Sequence, residues 1–497
     1  MIYNFNLGIG WASSGVEYAQ AYRASMLRTI GMPARFIFTD MFPRDNIEAM
    51  TANIGFEDSE IIWLYTFFTD QPVEPVTFTL DRFLAMIPKD DYKYSREGKT
   101  GRIVRKADKR DFYTIYFTDD KSDRVHRVEY VSRSLLIRKD YFTSGRLYTE
   151  YYAPQDGRAH LYQRRFFNRN GSVCYEELID DDSVMYRFSD RILYSKEELV
   201  AYMVRSLHLT ADDTVIIDRA TMIGQPILEN VGEARVGVVV HADHFSENVT
   251  TDQDILWNNY YEYDFAMNRH IDFYVCSTDA QAELLRQQFS RYMDINPKVV
   301  TIPVGGLDRL RRPEKGRRPF SIMTASRLAS EKHVDWIIRA CARARKQVPE
   351  LTLDIYGRGG QEKNLRGLIR DLHAETYIRL MGQYDLKDIY QNYELYVSGS
   401  MSEGFGLTLM EAVGGGLPIV GFDVRYGNPT FIDDGQNGYL IPVDADMTDR
   451  ERIQALADCI VRVLKDKNPE EMHGHSYRIA EKYLREEVAR KWQELLQ

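Results

Sequence analysis

The sequence predicts an α/β protein built as two Rossmann-like lobes, the first interrupted by an inserted antiparallel β-meander. Three observations carry this expectation. The 497 residues, at ~100–200 residues per domain, correspond to about three domain-sized units. Nearly continuous β-branched runs, each followed by a helical pattern, occupy both ends of the chain, as parallel sheets covered on both faces require. Between about Pro72 and Tyr194, short runs alternate apolar and polar residues and are punctuated by turn clusters, the pattern of a meander.

Residues 1–69 open the first lobe, with strands over Ile2–Leu7, Arg35–Thr39 and Ile61–Tyr65 and a helix over Gly15–Ile30. Residues 70–197 form the insert; Phe112–Thr118, Val125–Val131, Leu147–Tyr152 and His160–Phe167 are strands, with TDDKSD, PQDG, NRNGS and DDDS as turns. The first lobe resumes over 198–310 with VIIDRA (215–220), VGVVVHADH (236–244), DFYVCST (272–278) and VVTIPVGG (299–306). The linker is expected near Gly305–Arg318, where Gly, Pro and basic residues cluster. The second lobe, 311–480, carries FSIMTASRL, LTLDIYGRGG, IRLMGQ, LYVSGS and LPIVGF, and 481–497 close the chain as a helix.

Composition narrows the function classes. The formal net charge of −10 argues against a globally basic nucleic-acid binder. Residues 101–170 run the other way, with 16 basic residues against 9 acidic. The four cysteines, Cys174, Cys276, Cys341 and Cys459, lie far apart in sequence, so neither a disulfide framework nor a C-x-x-C motif is expected. The opening residues lack the pattern of a signal peptide, and no apolar run is long enough to span a bilayer. A cytoplasmic protein is expected, with peripheral membrane contact left open. The 33 tyrosines suggest strand faces or contact surfaces, and their concentration in the basic meander marks the insert as the place for a protein-binding surface.

Four segments carry chemistry. In Ser400–Pro418, SMSEGFGLTLMEAVGGGLP, a strand ends, a Gly-rich turn follows and a helix starts near Leu407. The backbone amides of Gly404, Phe405, Gly406 and Leu407 and the helix N-terminus suit an anionic diphosphate. Glu403 and Glu411, eight apart, suit two ends of one elongated ligand. In TASRLASEKH, Arg327 and Lys332 are spaced to clamp a diphosphate at a loop entering a helix near Val334. GIGWASSGVEY, Gly8–Tyr18, is a Gly-rich turn after the first strand, without the spacing of a dinucleotide fingerprint. His241 follows an apolar strand, where it is either structural or a donor to a sugar. With His244 it forms no convincing metal pair, for want of a third ligand.

Together these segments resemble the retaining GT-B glycosyltransferases of family 4. The likeness rests on the Gly8–Gly15 turn, His241, the linker TIPVGGLD, SRLASEKH, the Glu403/Glu411 pair with its GFG, and GLPIVGFDV. Over essentially the whole chain, NLGIGWASSGVEYAQAYRA, TANIGF, VVVHADHFSEN, ILWNNYYEYDF and the meander look like the catalytic subunits that O-glycosylate serine-rich-repeat adhesins for accessory Sec export.

The resemblance implies transfer of N-acetylglucosamine from UDP-N-acetylglucosamine to Ser or Thr hydroxyls, with retention, alongside a glycosyltransferase-like partner, GtfB. Arg327 and Lys332 would neutralise the diphosphate, Glu411 would hold the ribose, and Glu403 with Gly404–Gly406 the sugar hydroxyls. His241 would contact the transferred sugar, Gly15, Val16, Glu17 and Tyr18 would approach the diphosphate, and the backbone at Gly382 and Gln383 the uracil. A metal or other cofactor is not expected, and Asp444 and Asp446, despite their D-x-D spacing, read as a loop. The insert would hold the acceptor polypeptide or the partner. Two alternatives stand beside this reading: a family-4 transferase using UDP-glucose or a non-protein acceptor, and a non-catalytic binding subunit.

Overall fold

The computed structural model describes residues 1–9, 15–89, 91–444, 446–465 and 468–497. They divide into two compact units, the first comprising Met1–Ser25, Met32–Val239 and Trp257–Asp272, the second Met26–Gly31, Val240–Leu256 and Phe273–Gln497.

In the first unit, β1 (Ile2–Asn6), β2 (Ala34–Phe38) and β3 (Ile61–Trp63) precede the insert. β4 (Tyr92–Glu97), β5 (Thr100–Arg105), β6 (Phe112–Phe117), β7 (Val125–Ser132), β8 (Leu135–Phe142), β9 (Arg146–Gln155), β10 (Arg158–Phe167), β11 (Val173–Asp180), β12 (Ser183–Arg187) and β13 (Ile192–Leu193) make up the insert, and β14 (Thr214–Ile217) and β15 (Arg235–Val240) follow it. β15-β14-β1-β2-β3 pair in parallel, and β4 to β13 form one ten-stranded sheet in which each strand pairs with its sequence neighbour. That sheet is the expected antiparallel meander.

The first unit's parallel sheet encloses a buried polar network as well as aliphatic side chains. Arg23 Nη2 lies 2.5 Å from Asp218 Oδ1, and Arg23 Nη1 donates to Asn4 Oδ1 at 2.9 Å. Gln20 bridges Asn6 to Asp218. All five residues are buried.

The meander starts later than its alternation suggests. The Thr79 hydroxyl caps a short helix, Leu80–Met86, and that helix sends Phe83 into a small core with Phe78, Ile103, Ile115, Phe117, Val125, Val128 and Phe142. The tyrosines of the meander divide between buried strand faces and the surface. Tyr141, Tyr148, Tyr175 and Tyr186 are buried rather than available to a partner. Tyr141 stacks on Tyr148 at 4.1 Å and Phe166 on Tyr175 at 4.5 Å. The Tyr175 hydroxyl donates to the Tyr65 carbonyl at 2.7 Å, and Tyr148 meets Trp63 edge-on. These rings fasten the meander to the end of β3. Part of the basic excess is internal as well: Arg164 pairs with Glu150 and Glu177, and Arg138 with Asp140. Tyr94 and Tyr162 remain exposed.

In the second unit β16 (Phe273–Cys276) and β17 (Val299–Thr301) pair in parallel. β18 (Ser321–Ala325), β19 (Thr352–Tyr356), β20 (Ile378–Gly382), β21 (Leu395–Val397), β22 (Ile419–Phe422) and β23 (Gly438–Ile441) form a parallel sheet in the order β20-β19-β18-β21-β22-β23. Helix Val334–Ala344 buries Val334, Ile337, Ile338 and Cys341 in the core beneath this sheet. The strand β23 is absent from the sequence reading because GYLI is too short to show a period. Gly438 meets β22 so closely that a Cβ there would lie 1.8 Å from the Ile419 carbonyl oxygen.

The stretch Gly305–Arg318, expected as a linker, runs between β17 and β18 and is tied down. Leu307 exchanges backbone hydrogen bonds with Tyr483 and Arg485, and Arg317 donates to the carbonyls of Gln391, Tyr393 and Gly415. Arg317 thus serves the second unit's own interior, whereas Arg309, Arg312 and Lys315 are exposed.

Candidate functional site

The strand order places the site. From β18 the chain builds outward to β19 and β20, then returns to the other side of β18 to lay down β21, β22 and β23. The reversal leaves a crevice at the carboxyl ends of β18 and β21, where open α/β sheets bind ligands. The loop after β18 carries Lys332, and the loop after β21 carries Glu403.

These two side chains meet. Lys332 Nζ lies 2.6 Å from Glu403 Oε2, both partly exposed, and Ser400 Oγ sits 3.4 Å from the same oxygen. Gly399 permits the approach: a Cβ there would fall 2.7 Å from the His333 carbonyl oxygen and 2.9 Å from that of Lys332. The Glu403 backbone is fixed from the β22 side, its carbonyl accepting from the amides of Tyr426 and Gly427 at 2.7 Å each. A Cβ at Gly427 would strike the Phe405 carbonyl oxygen at 2.3 Å, so this contact needs a glycine.

The helix Leu407–Gly414 starts directly behind Glu403. Its N-cap, Gly406, has φ 86 and offers no side-chain cap; the Leu409 amide donates to the Gly406 carbonyl at 2.9 Å, and the Leu407 and Thr408 amides ahead of it suit an anion. Phe405 and Leu407 contribute backbone only. The Phe405 ring is buried against Phe431 and Tyr483, and Leu407 packs on the same core. Glu411 accepts from the Tyr390 hydroxyl at 2.8 Å. Burial pushes its carboxyl above the ordinary range, and the Tyr390 hydrogen bond works against that rise.

Arg327 departs from the expected clamp. Its guanidinium pairs with Glu331 at 2.8 Å on an exposed face of its own loop, whereas Lys332 turns inward to Glu403. The i,i+4 spacing of Arg327 and Glu331 explains the difference. Gly382 ends β20 with φ 83, and its carbonyl accepts from the Gly357 amide at 2.7 Å. Gln383 beside it is exposed.

His241 belongs to the second unit by its contacts, and its carbonyl oxygen lies 3.2 Å from where a Cβ on Gly404 would be. The neighbouring His244 is structural. It is fully buried, sits 2.6 Å from Gln288 Oε1 and faces Tyr426, and burial lowers its pKa to about 4. Gly15, Val16, Glu17 and Tyr18 open helix Gly15–Thr29 in the first unit. Val16 and Glu17 are buried, with Glu17 3.7 Å from Arg219, while Gly15 and Tyr18 are exposed. Residues 10–14 of the Gly8–Gly15 turn lie outside the described residues. Asp444 and Asp446 follow the end of β23 as irregular chain.

Sequence reasoning missed Ser400, Tyr390 and the Tyr426–Gly427 amides. Tyr390 had no local signal, since its partner is 21 residues away. Gly427 sits after β22 in RYGN, where a strand-end glycine was a usable clue.

Residues 309–478 match the family described as glycosyl transferases group 1, and residues 93–190 match the GtfA extended beta-sheet domain. The chain is 53% identical over 496 residues to the UDP-N-acetylglucosamine–peptide N-acetylglucosaminyltransferase GtfA subunit of Streptococcus gordonii, covering 100% of this chain and 98% of that one. It is 49% identical over 497 residues to the GtfA subunit of Streptococcus pneumoniae serotype 4, covering 100% and 99%. The crystal structure of the pneumococcal O-GlcNAc transferase GtfA in complex with UDP and GlcNAc superposes with a TM-score of 0.94 at 49% identity, covering 100% of this chain and 98% of that one. A GtfA/B complex structure gives 0.96 at 53%, covering 100% and 99%. The fold is GT-B with an inserted meander, and the chain belongs to the GtfA subunit family of peptide N-acetylglucosaminyltransferases.

Proposed function

We propose that this chain is the catalytic subunit of a peptide O-glycosyltransferase. It transfers N-acetylglucosamine from UDP-N-acetylglucosamine to Ser or Thr hydroxyls of a serine-rich-repeat adhesin, with retention, in complex with GtfB. The observation that carries this is the Lys332–Glu403 pair at the sheet's switch point, in a chain related end to end to GtfA subunits. The place of action in this reading is the cytoplasm, where a UDP-sugar donor meets an acceptor awaiting export. No helix among the described residues is long and apolar enough to cross a membrane.

Cleaving the sugar–phosphate bond builds negative charge on UDP and positive charge on the sugar ring. Lys332 and the amides at the start of helix Leu407–Gly414 meet the first, so they stabilise the transition state more than the bound donor. Glu403 accepts from sugar hydroxyls, and Glu411 takes the ribose. His241 contacts the transferred sugar, the backbone at Gly382 and Gln383 takes the uracil, and Gly15–Tyr18 approach the diphosphate. Arg327 joins the diphosphate by leaving Glu331, a rearrangement of one exposed pair that costs ~1 kcal/mol or less. A front-face route, in which the departing phosphate accepts the acceptor's proton, fits a Glu403 whose charge is already engaged by Lys332. Trapping of a sugar ester on Glu403 or Glu411 would replace it with a covalent route.

With cationic side chains and amides facing the diphosphate, a divalent ion has no required role. Turnover in EDTA is expected to equal turnover with added magnesium, and its loss would reject this part of the mechanism.

The experiment for the function offers radiolabelled UDP-N-acetylglucosamine or UDP-glucose to the chain with its partner, with a Ser-rich peptide and an oligosaccharide as competing acceptors. Label from UDP-N-acetylglucosamine on the peptide is expected. Label confined to the oligosaccharide, or preferential use of UDP-glucose, would overturn the assignment.

A further inference from the structure

The glycine run Gly414–Gly416 has a steric reason at each position. A Cβ on Gly414 would lie 2.8 Å from Leu307 Cδ1, one on Gly415 2.7 Å from Tyr390 Cβ, and one on Gly416 2.3 Å from the Tyr477 ring. Three segments therefore close on the C-terminal end of helix Leu407–Gly414, and the central contact belongs to Tyr390. Tyr390 opens a single 3-10 turn, Tyr390–Asn392, and is 1% exposed. Its ring centroid lies 6.3 Å from that of Tyr396. Tyr396 is itself held by the Ala325 carbonyl and Thr408. Anchored at Gly415 and walled by Tyr396, the phenol presents its hydroxyl to Glu411 Oε2 at 2.8 Å.

We propose that Tyr390 is a positioning residue for donor binding: its hydroxyl fixes the Glu411 carboxylate in one orientation, leaving the second oxygen for a ribose hydroxyl of the nucleotide. The inference rests on the reading that Glu411 takes the ribose. A carboxylate accepts a hydroxyl's hydrogen bond best when ionised and held still. Burial and the charge of Asp385 work against ionisation of Glu411, while Tyr390, Arg311 and Lys387 favour it. Removing the phenol hydroxyl therefore loosens the carboxylate and raises its pKa together. The donor must then bind an acceptor that is less fixed and, on the acid side, more often protonated.

The test measures donor KM and kcat across pH for wild type, Tyr390→Phe, Glu411→Gln and the double variant, each as the full chain with its partner. Phe keeps the Cβ that lies against Gly415 and the ring beside Tyr396. Tyr390→Phe is expected to raise donor KM ~10-fold, as loss of a hydrogen bond to a charged group does, with kcat within about twofold. The rise in KM on the acid side should move to higher pH. Glu411→Gln should raise KM and abolish that acid limb, and the two effects should not add in the double variant. If Glu411→Gln raises KM while Tyr390→Phe leaves KM and the acid limb unchanged, the positioning role is rejected. Additive effects in the double variant reject it too. If Glu411→Gln leaves KM unchanged, the ribose reading beneath the inference fails.

Discussion

Lys332→Ala is expected to lower kcat by ~10²–10³-fold, the loss typical of removing one preorganised group from a developing negative charge. The ammonium sits 2.6 Å from Glu403 at the carboxyl edge of the second unit's sheet. Glu403 balances its charge before the donor arrives; in the proposed mechanism, the departing UDP supplies a growing one during transfer. The Lys332 contribution thus increases along the reaction, and the loss should fall on kcat more than on donor KM. The substitution also leaves Glu403 unbalanced beside an anionic ligand, so part of the loss is repulsion. Lys332→Ala/Glu403→Gln should therefore fall short of the sum of the two single effects. Lys332→Arg should not restore the rate, because a planar fork does not replace a point charge held by the backbone approach at Gly399. Steady-state kinetics with varied donor checks all three.

Asp218→Ala is expected to destabilise the first unit by ~3–5 kcal/mol, the cost of leaving a buried charge without its partner. Arg23 is 2% exposed and Asp218 1% exposed. Removing the carboxylate takes the Asp218 charge from the guanidinium and also takes an acceptor from Gln20, which holds Asn6. Asp218→Asn keeps the shape and one acceptor, so its cost should be smaller. Asp252, which pairs with Arg291 at the surface, provides the comparison: Asp252→Ala should cost ~1 kcal/mol or less. Urea unfolding of Asp218→Ala, Asp218→Asn and Asp252→Ala measures the order. Equal midpoints for Asp218→Ala and Asp252→Ala would mean that the network adds nothing.

Much of this is legible in the sequence because it is local. The parallel strands announce themselves as β-branched runs, and the Gly-rich turn with its two glutamates states a strand, a turn and a helix within twenty residues. Lys332 and Glu403 are readable as types suited to a donor site. Their contact is not, because it depends on β18 and β21 being neighbours and on Gly399 admitting the Lys332 backbone. The outward turn of Arg327 is equally hidden, since Glu331, its partner, looks like one more surface carboxylate. The tyrosines show the same limit. Their number suggests strand faces or contact surfaces, and Tyr148 and Tyr175 bind the meander to β3; period-2 alternation does not say which face another part of the chain covers. Arg317 is hidden for a related reason: it reads as one more basic residue of a linker but is committed to backbone carbonyls of its own unit.

The most direct test of the site is a crystal structure of the chain grown with UDP. The diphosphate is expected within hydrogen-bond distance of Lys332 Nζ and the first-turn amides of helix Leu407–Gly414, with the ribose on Glu411. A diphosphate bound away from Lys332, with the Lys332–Glu403 pair undisturbed and the ribose off Glu411, would contradict the account.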